Sequence, residues 1–143
     1  MSADLTPQFV DTNILVYAHD TSAGEKYAQA KALIAGLWDS GAGCLSVQVL
    51  QEFYVTVTQK VRQPFKSEVA TQVVEALSFW RVFAPDARDV LAAIALQQRH
   101  QLSFWDAMII HSAAQLGCQT IWSEDLGVGR VYNGVRVLSP FPV

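Results

Sequence analysis

Four carboxylates of this chain lie inside segments that are otherwise built to be buried. Asp11 stands in Phe9-Val10-Asp11-Thr12-Asn13-Ile14-Leu15-Val16-Tyr17 and Glu52 in Val49-Leu50-Gln51-Glu52-Phe53-Tyr54. Asp106 stands in Phe104-Trp105-Asp106-Ala107-Met108-Ile109, and Asp125 follows Thr120-Ile121-Trp122-Ser123-Glu124. Taking an unpaired carboxylate out of water costs several kcal/mol. A fold that buries these runs must therefore bring each acid to a place where something answers its charge. A helix cap, a buried ion pair and a shared metal ion are the available answers.

The runs themselves alternate between two periodicities. Phe9-Val10 reads as a short strand ending at Asp11, and Asp11 or Thr12 can cap a helix through Ile14, Leu15, Tyr17 and Ala18. Tyr27, Ala30, Ile34 and Leu37 recur at helical spacing in a helix predicted from Gly24 to Ser40, which Gly41-Ala42-Gly43 breaks. Cys44-Leu45 reads as a second strand, with Ser46 capping a helix that runs to about Lys60. On that helix Val47, Leu50, Tyr54, Val57 and Val61 follow one face, widened by Val49 and Phe53. Gln63-Pro64 ends the element, and a helix from Ser67 to Phe79 and a strand at Arg81-Val82-Phe83 follow. Two further helices are predicted, from Ala87 to about His100 and from Ser103 to Gly117. Strands at Gln119 to Trp122 and Val135 to Leu138 close the chain, separated by the Gly127-Val128-Gly129 loop and the Asn133-Gly134 turn. Such alternation predicts a mainly parallel, short-stranded sheet covered on both faces: one three-layer α/β/α domain over residues 1–143. Trp80, Trp105 and Trp122 are expected in its core.

Composition narrows the class. Hydrophobic residues make up 51% and charged residues 16%, which predicts well-buried elements and an apolar oligomer interface. No run reaches the roughly 18 apolar residues of a membrane span, and Met1-Ser2-Ala3-Asp4 lacks the basic start and apolar stretch of a signal peptide. Cys44 and Cys118 form no Cys-x-x-Cys pair and read as buried thiols of a reducing compartment, so a cytoplasmic protein is expected. A net charge of −3 argues against a sequence-independent nucleic-acid coat, which needs basic excess to release counterions. An enzyme that meets nucleic acid at one metal-charged cleft is still compatible, because bound cations reverse the local sign.

Taken singly, the acids have ordinary explanations. Asp11 is a helix cap, and Ser103-x-x-Asp106 resembles a capping box. Glu52 gains nothing from capping in mid-helix but can belong to a solvated stripe, and Glu124 and Asp125 can be loop acids. Taken together they fall where open parallel sheets collect their sites, outside the carboxyl ends of the strands. Four carboxylates in one crevice repel and raise one another's pKa unless a cation neutralises them. An all-oxygen set suits Mg²⁺ or Mn²⁺ rather than Zn²⁺. His19, His100 and His111 share no ligand spacing, Ser46 and Ser103 have no adjacent His, and Gly127-Val128-Gly129 is no phosphate loop.

With Asp11-Thr12-Asn13, Glu52, Asp106-Ala107 and Ser123-Glu124-Asp125, the chain resembles the PIN-domain family, and within it the VapC-type toxins of prokaryotic toxin–antitoxin pairs. The likeness runs from Phe9 to Phe141. It implies an Mg²⁺- or Mn²⁺-dependent endoribonuclease that leaves 5′-phosphate and 3′-hydroxyl ends. Asp11, Glu52, Asp106 and Asp125 match the family's acidic quartet of catalytic metal ligands, and Asn13 and Ser123 match its supporting polar positions. Asp125 is preferred to Glu124 on the Ser-x-Asp spacing. Ser123 stands where Thr is common, and Ser139 where Asn often precedes Pro-Phe. The resemblance also implies an RNA substrate, a small antitoxin that inserts into the acidic cleft, and a homodimer. Arg130 is a candidate phosphate contact. Two rivals are a PIN-like scaffold that binds RNA or protein without cutting, and a receiver-like domain, which lacks support because no Lys follows Lys66.

Overall fold

Phe9 and Val10 are fully buried because the short strand that carries them, β1 (Gln8–Val10), lies inside the sheet with a parallel neighbour on each side. The structure is a computed structural model that describes residues 6–142. After β1 come α1 (Thr12–His19), a single 3-10 turn (Thr21–Ala23), α2 (Glu25–Ser40), β2 (Gly43–Ser46), α3 (Val47–Gln59), α4 (Ser67–Leu77) and β3 (Arg81–Phe83). Then follow α5 (Ala87–His100), α6 (Phe104–Gln115), β4 (Thr120–Trp122), β5 (Val131–Tyr132) and β6 (Val135–Leu138).

The strand order is β3-β2-β1-β4-β6-β5, parallel throughout except for β5 against β6. The chain steps outward from β1 to β2 and β3, then crosses back over β1 to reach β4. Because crossovers are right-handed, that reversal puts α5 and α6 on the opposite face from α1 to α4. The helix packing agrees: α1 lies against α2 and α3, α3 against α4, and α5 against α6. The reversal also opens a crevice beyond the carboxyl ends of β1 and β4. The three-layer, mainly parallel α/β/α architecture is the one expected from the sequence.

α6 is buried from Ala107 through Ala113 and touches β2, β4 and β6, which is why its sequence shows no polar face. The polar groups it buries are satisfied: Ser112 Oγ donates to the Met108 carbonyl at 2.7 Å, and His111 Nε2 meets Asp89 Oδ1 of α5 at 2.8 Å. Cys44 and Cys118 are buried free thiols. Among the described residues no helix is long and apolar enough to cross a membrane.

Two expectations need correction, and one short strand was not foreseen. Trp105 is 62% exposed rather than core, because α6 starts at the crevice end of the sheet and its first turn stands clear of the interior. Trp80 is buried and Trp122 half-buried, its indole donating to Gln8 Oε1 at 2.7 Å. On α3 the fully buried stripe is Val49, Phe53 and Val57, whereas Val47, Leu50 and Tyr54 border a groove shared with Thr71 and Val74 of α4. The helix packs on two neighbours, so its apolar surface divides. Finally, the Asn133-Gly134 turn closes an antiparallel hairpin whose first strand, β5, is only two residues long. Both turn residues have positive φ, 50° and 79°, as a two-residue hairpin turn of this hand requires.

Candidate functional site

β1 delivers Asp11 to the crevice. The Asp11 amide donates to the Trp122 carbonyl at 2.9 Å, so β1 and β4 stay tied to the residue where both sequences turn polar. Asp11 Oδ1 accepts from the Thr12 amide at 2.8 Å, which caps α1, and Oδ2 accepts from Ser123 Oγ at 2.7 Å. The capping and the site readings therefore describe one side chain. The Ser123 hydroxyl also accepts from the Asp125 amide at 3.1 Å, so it fixes the loop after β4 while it holds Asp11.

The other acids are held by comparable donors. Glu52, on α3, accepts from Thr12 Oγ1 at 2.6 Å and from Gln48 Nε2 at 3.1 Å. Gln48 Nε2 also reaches the Trp105 carbonyl at 3.2 Å, which ties α3 to the start of α6. Asn13 Nδ2 donates to Asp125 Oδ2 at 2.7 Å. Asp106 occupies the first turn of α6, its amide donating to the Ser103 cap at 3.1 Å. Glu124 is taken up elsewhere: it accepts from Tyr17 Oη at 2.7 Å and pairs with Lys26, whose ammonium also lies over the Tyr17 and Phe141 rings.

Asp11, Glu52, Asp106 and Asp125 line one cleft of about 750 Å³, whereas Glu124 does not. Asn13 lines it too, and Ser123 is buried behind Asp11. All six residues singled out in the sequence thus meet at one place. Thr12 and Gln48 were missed. Gln48 had a signal, since it lies one turn before Glu52 on α3 and so shares its face. Thr12 had none, because its hydroxyl finds Glu52 only across the fold. Arg130 lies outside the cleft lining, with its guanidinium 5.1 Å from the centre of the Tyr132 ring. Lys60 and Arg62, unremarked in the sequence, do line the cleft.

The electrostatics match crowded acids. Burial pushes Asp11 up to about 6, with the Glu52 and Asp106 charges adding to it and the Ser123 and Thr12 hydrogen bonds working against it. Asp106 is raised as well, by burial first and then by Asp125 and Glu52 against the opposing Ser103 hydrogen bond. Glu124 goes the other way: burial opposes ionisation, but the Lys26 and Tyr17 hydrogen bonds prevail and lower its pKa. Among the described residues no three Asp, Glu, His or Cys side chains stand close enough together to hold a metal ion. Asp11, Glu52 and Asp125 are instead turned onto Ser123, Thr12, Gln48 and Asn13. Their donor chemistry nonetheless fits a hard divalent cation: four carboxylates, no thiolate or imidazole in the lining, and a buried Asn13 Oδ1 with no hydrogen-bond partner.

The family profile described as PIN domain matches residues 9–134. Among solved structures, the chain is similar to VapC20 of Mycobacterium tuberculosis, a toxin described as cleaving the sarcin–ricin loop. The two share 23% identity with a TM-score of 0.63, over 82% of this chain and 89% of that one. At that identity the likeness speaks to the fold. No curated protein sequence matches the chain.

Proposed function

The chain belongs to the PIN-domain family, and on that premise we propose that it is a divalent-metal-dependent endoribonuclease, the toxin of a toxin–antitoxin pair. The observation that carries this reading is the convergence of Asp11, Glu52, Asp106 and Asp125 on one cleft. In this reading Asp11 and Asp106 hold Mg²⁺ or Mn²⁺, and Glu52 and Asp125 complete or tune the site. A cation bound there would supply a water of lowered pKa and charge stabilisation for phosphodiester hydrolysis.

The chain's own groups supply the rest. Ser123 and the Thr12 amide engage both Asp11 oxygens, so this carboxylate cannot rotate away. Thr12 and Gln48 orient Glu52, and Asn13 orients Asp125, as outer hydrogen bonds do for metal-binding carboxylates. Departure of the 3′ oxygen leaves a 5′-phosphate and a 3′-hydroxyl. The same reading takes the chain as a single nuclease domain in the cytoplasm, forming a homodimer. It also supplies an antitoxin that sets a cationic side chain among the carboxylates.

The test is cleavage of a single-stranded RNA by the purified protein with Mg²⁺, Mn²⁺ or a chelator present. Wild type is expected to cut only with the cation. Asp11→Asn and Asp106→Asn are expected to lose cleavage by at least about 100-fold while keeping native circular dichroism. Wild-type-like cutting by either variant would sink the assignment. RNA binding with no cleavage by wild type under any cation would favour a non-catalytic binding module instead.

A further inference from the structure

The cleft is larger than a metal ion and its water require, and its lining carries two cations beside the acids. Among the described residues five acids line it, namely the four carboxylates already described and Asp20, and the cations in its lining are Lys60 and Arg62. Along α3 the lining residues Glu52, Thr56 and Lys60 are spaced four apart, so they form one stripe down the wall. From Glu52 to Lys60 that stripe runs about 12 Å at 1.5 Å per residue. One wall therefore passes from a carboxylate through a hydroxyl to an ammonium.

The segment that carries the two cations is a built structure. The Lys60 amide donates to the Thr56 carbonyl at 2.8 Å and the Val61 amide to the same carbonyl at 3.2 Å. The Phe65 amide returns to the Val57 carbonyl at 2.8 Å, and Val61 and Phe65 are both partly buried. Lys60 and Arg62 are exposed, and neither joins an acid in an ion pair among the described residues. A cation at Lys60 complements the carboxyl end of α3. Arg62 lies beyond the helix, so that effect does not account for it.

We infer that Lys60 and Arg62 form a phosphate-binding arm that grips the backbone of single-stranded RNA on one side of the cut and aims the chain at the carboxylates. This deepens the nuclease reading and rests on it. A polyanion approaching five acids on a protein of net charge −3 needs a local positive anchor. Lys60, in line with Glu52 along α3, and Arg62, on the hydrogen-bonded turn beyond it, provide one. The contact is to phosphate and carries no sequence preference.

The experiment is RNA binding by fluorescence anisotropy in the Asp11→Asn background with Mg²⁺ present, over a series of salt concentrations. Lys60→Ala and Arg62→Ala are each expected to weaken binding for unrelated sequences alike. Each should reduce the slope of log affinity against log salt by about 0.7, and the double variant by about 1.4. Lys60→Arg should restore the slope, which a purely structural role for the turn does not predict. Unchanged slopes in the double variant overturn the arm even if wild type cuts RNA. So does an effect confined to an acidic peptide competitor. Failure of the nuclease reading shows separately, as wild type that binds RNA without cutting it.

Discussion

Asp11 combines a helix cap, a buried carboxylate and the centre of the acidic site in one side chain. Its folded pKa of about 6 stands above the ordinary carboxylate value of 3.8, chiefly through burial. The folded state therefore holds the proton more tightly than the unfolded chain. The metal-free fold is thus most stable below about pH 4 with respect to this group, and loses stability as pH rises through 6. The full difference is on the order of 3 kcal/mol. Asp11→Asn removes that dependence. Urea unfolding in chelator should show wild type losing stability relative to the Asn variant between pH 5 and pH 7.5, and parallel curves would refute the linkage.

At the scale of elements, short strands leave little tolerance in how helices meet the sheet. Gly43 reads as a helix breaker in sequence, yet it is the first residue of β2 and fully packed. A Cβ there would stand 2.5 Å from the Trp80 ring, and that ring is backed by Trp38 at 5.3 Å between centroids. The indole would have to shift against Trp38, so Gly43→Ala should cost about 1–3 kcal/mol of overpacking. Denaturant midpoints of wild type and variant measure this directly. α3 shows the other consequence of tight layering. Its Val49-Phe53-Val57 stripe faces the core, its Leu50-Tyr54 side faces α4, and its Glu52-Thr56-Lys60 side is left to the cleft.

At the scale of the whole molecule, the reversal of strand order at β1 and β4 collects acids that lie more than a hundred residues apart in sequence. Burial, with a smaller contribution from the neighbouring acids, raises Asp11 and Asp106 together, and a divalent cation held between them would offset it. Mg²⁺ at a hundred times its dissociation constant should add about 2.7 kcal/mol at neutral pH, which is roughly 8 °C in Tm for a chain of this size. The Asp11→Asn, Asp106→Asn double variant should show no such rise in a thermal melt. An equal rise in both proteins would mean that the ion stabilises from another site.

Much of this was legible from local pattern. The strand–helix alternation, the caps at Asp11, Ser46 and Ser103, and the acids embedded in apolar runs are short-range features, and each follows from the chemistry of neighbouring residues. The α/β class was legible in this way, as were the six polar residues that the fold brings together at one crevice. What tertiary structure decided depends on contacts made far along the chain. Thr12 reaches Glu52 forty residues away, and Ser123 reaches Asp11 across 112. Lys26 and Tyr17 draw Glu124 out of the cleft and leave Asp125 facing it. Trp105 is exposed and Lys60 and Arg62 share the cleft for the same reason: burial and convergence are set by which elements meet, and spacing within one element does not carry that information.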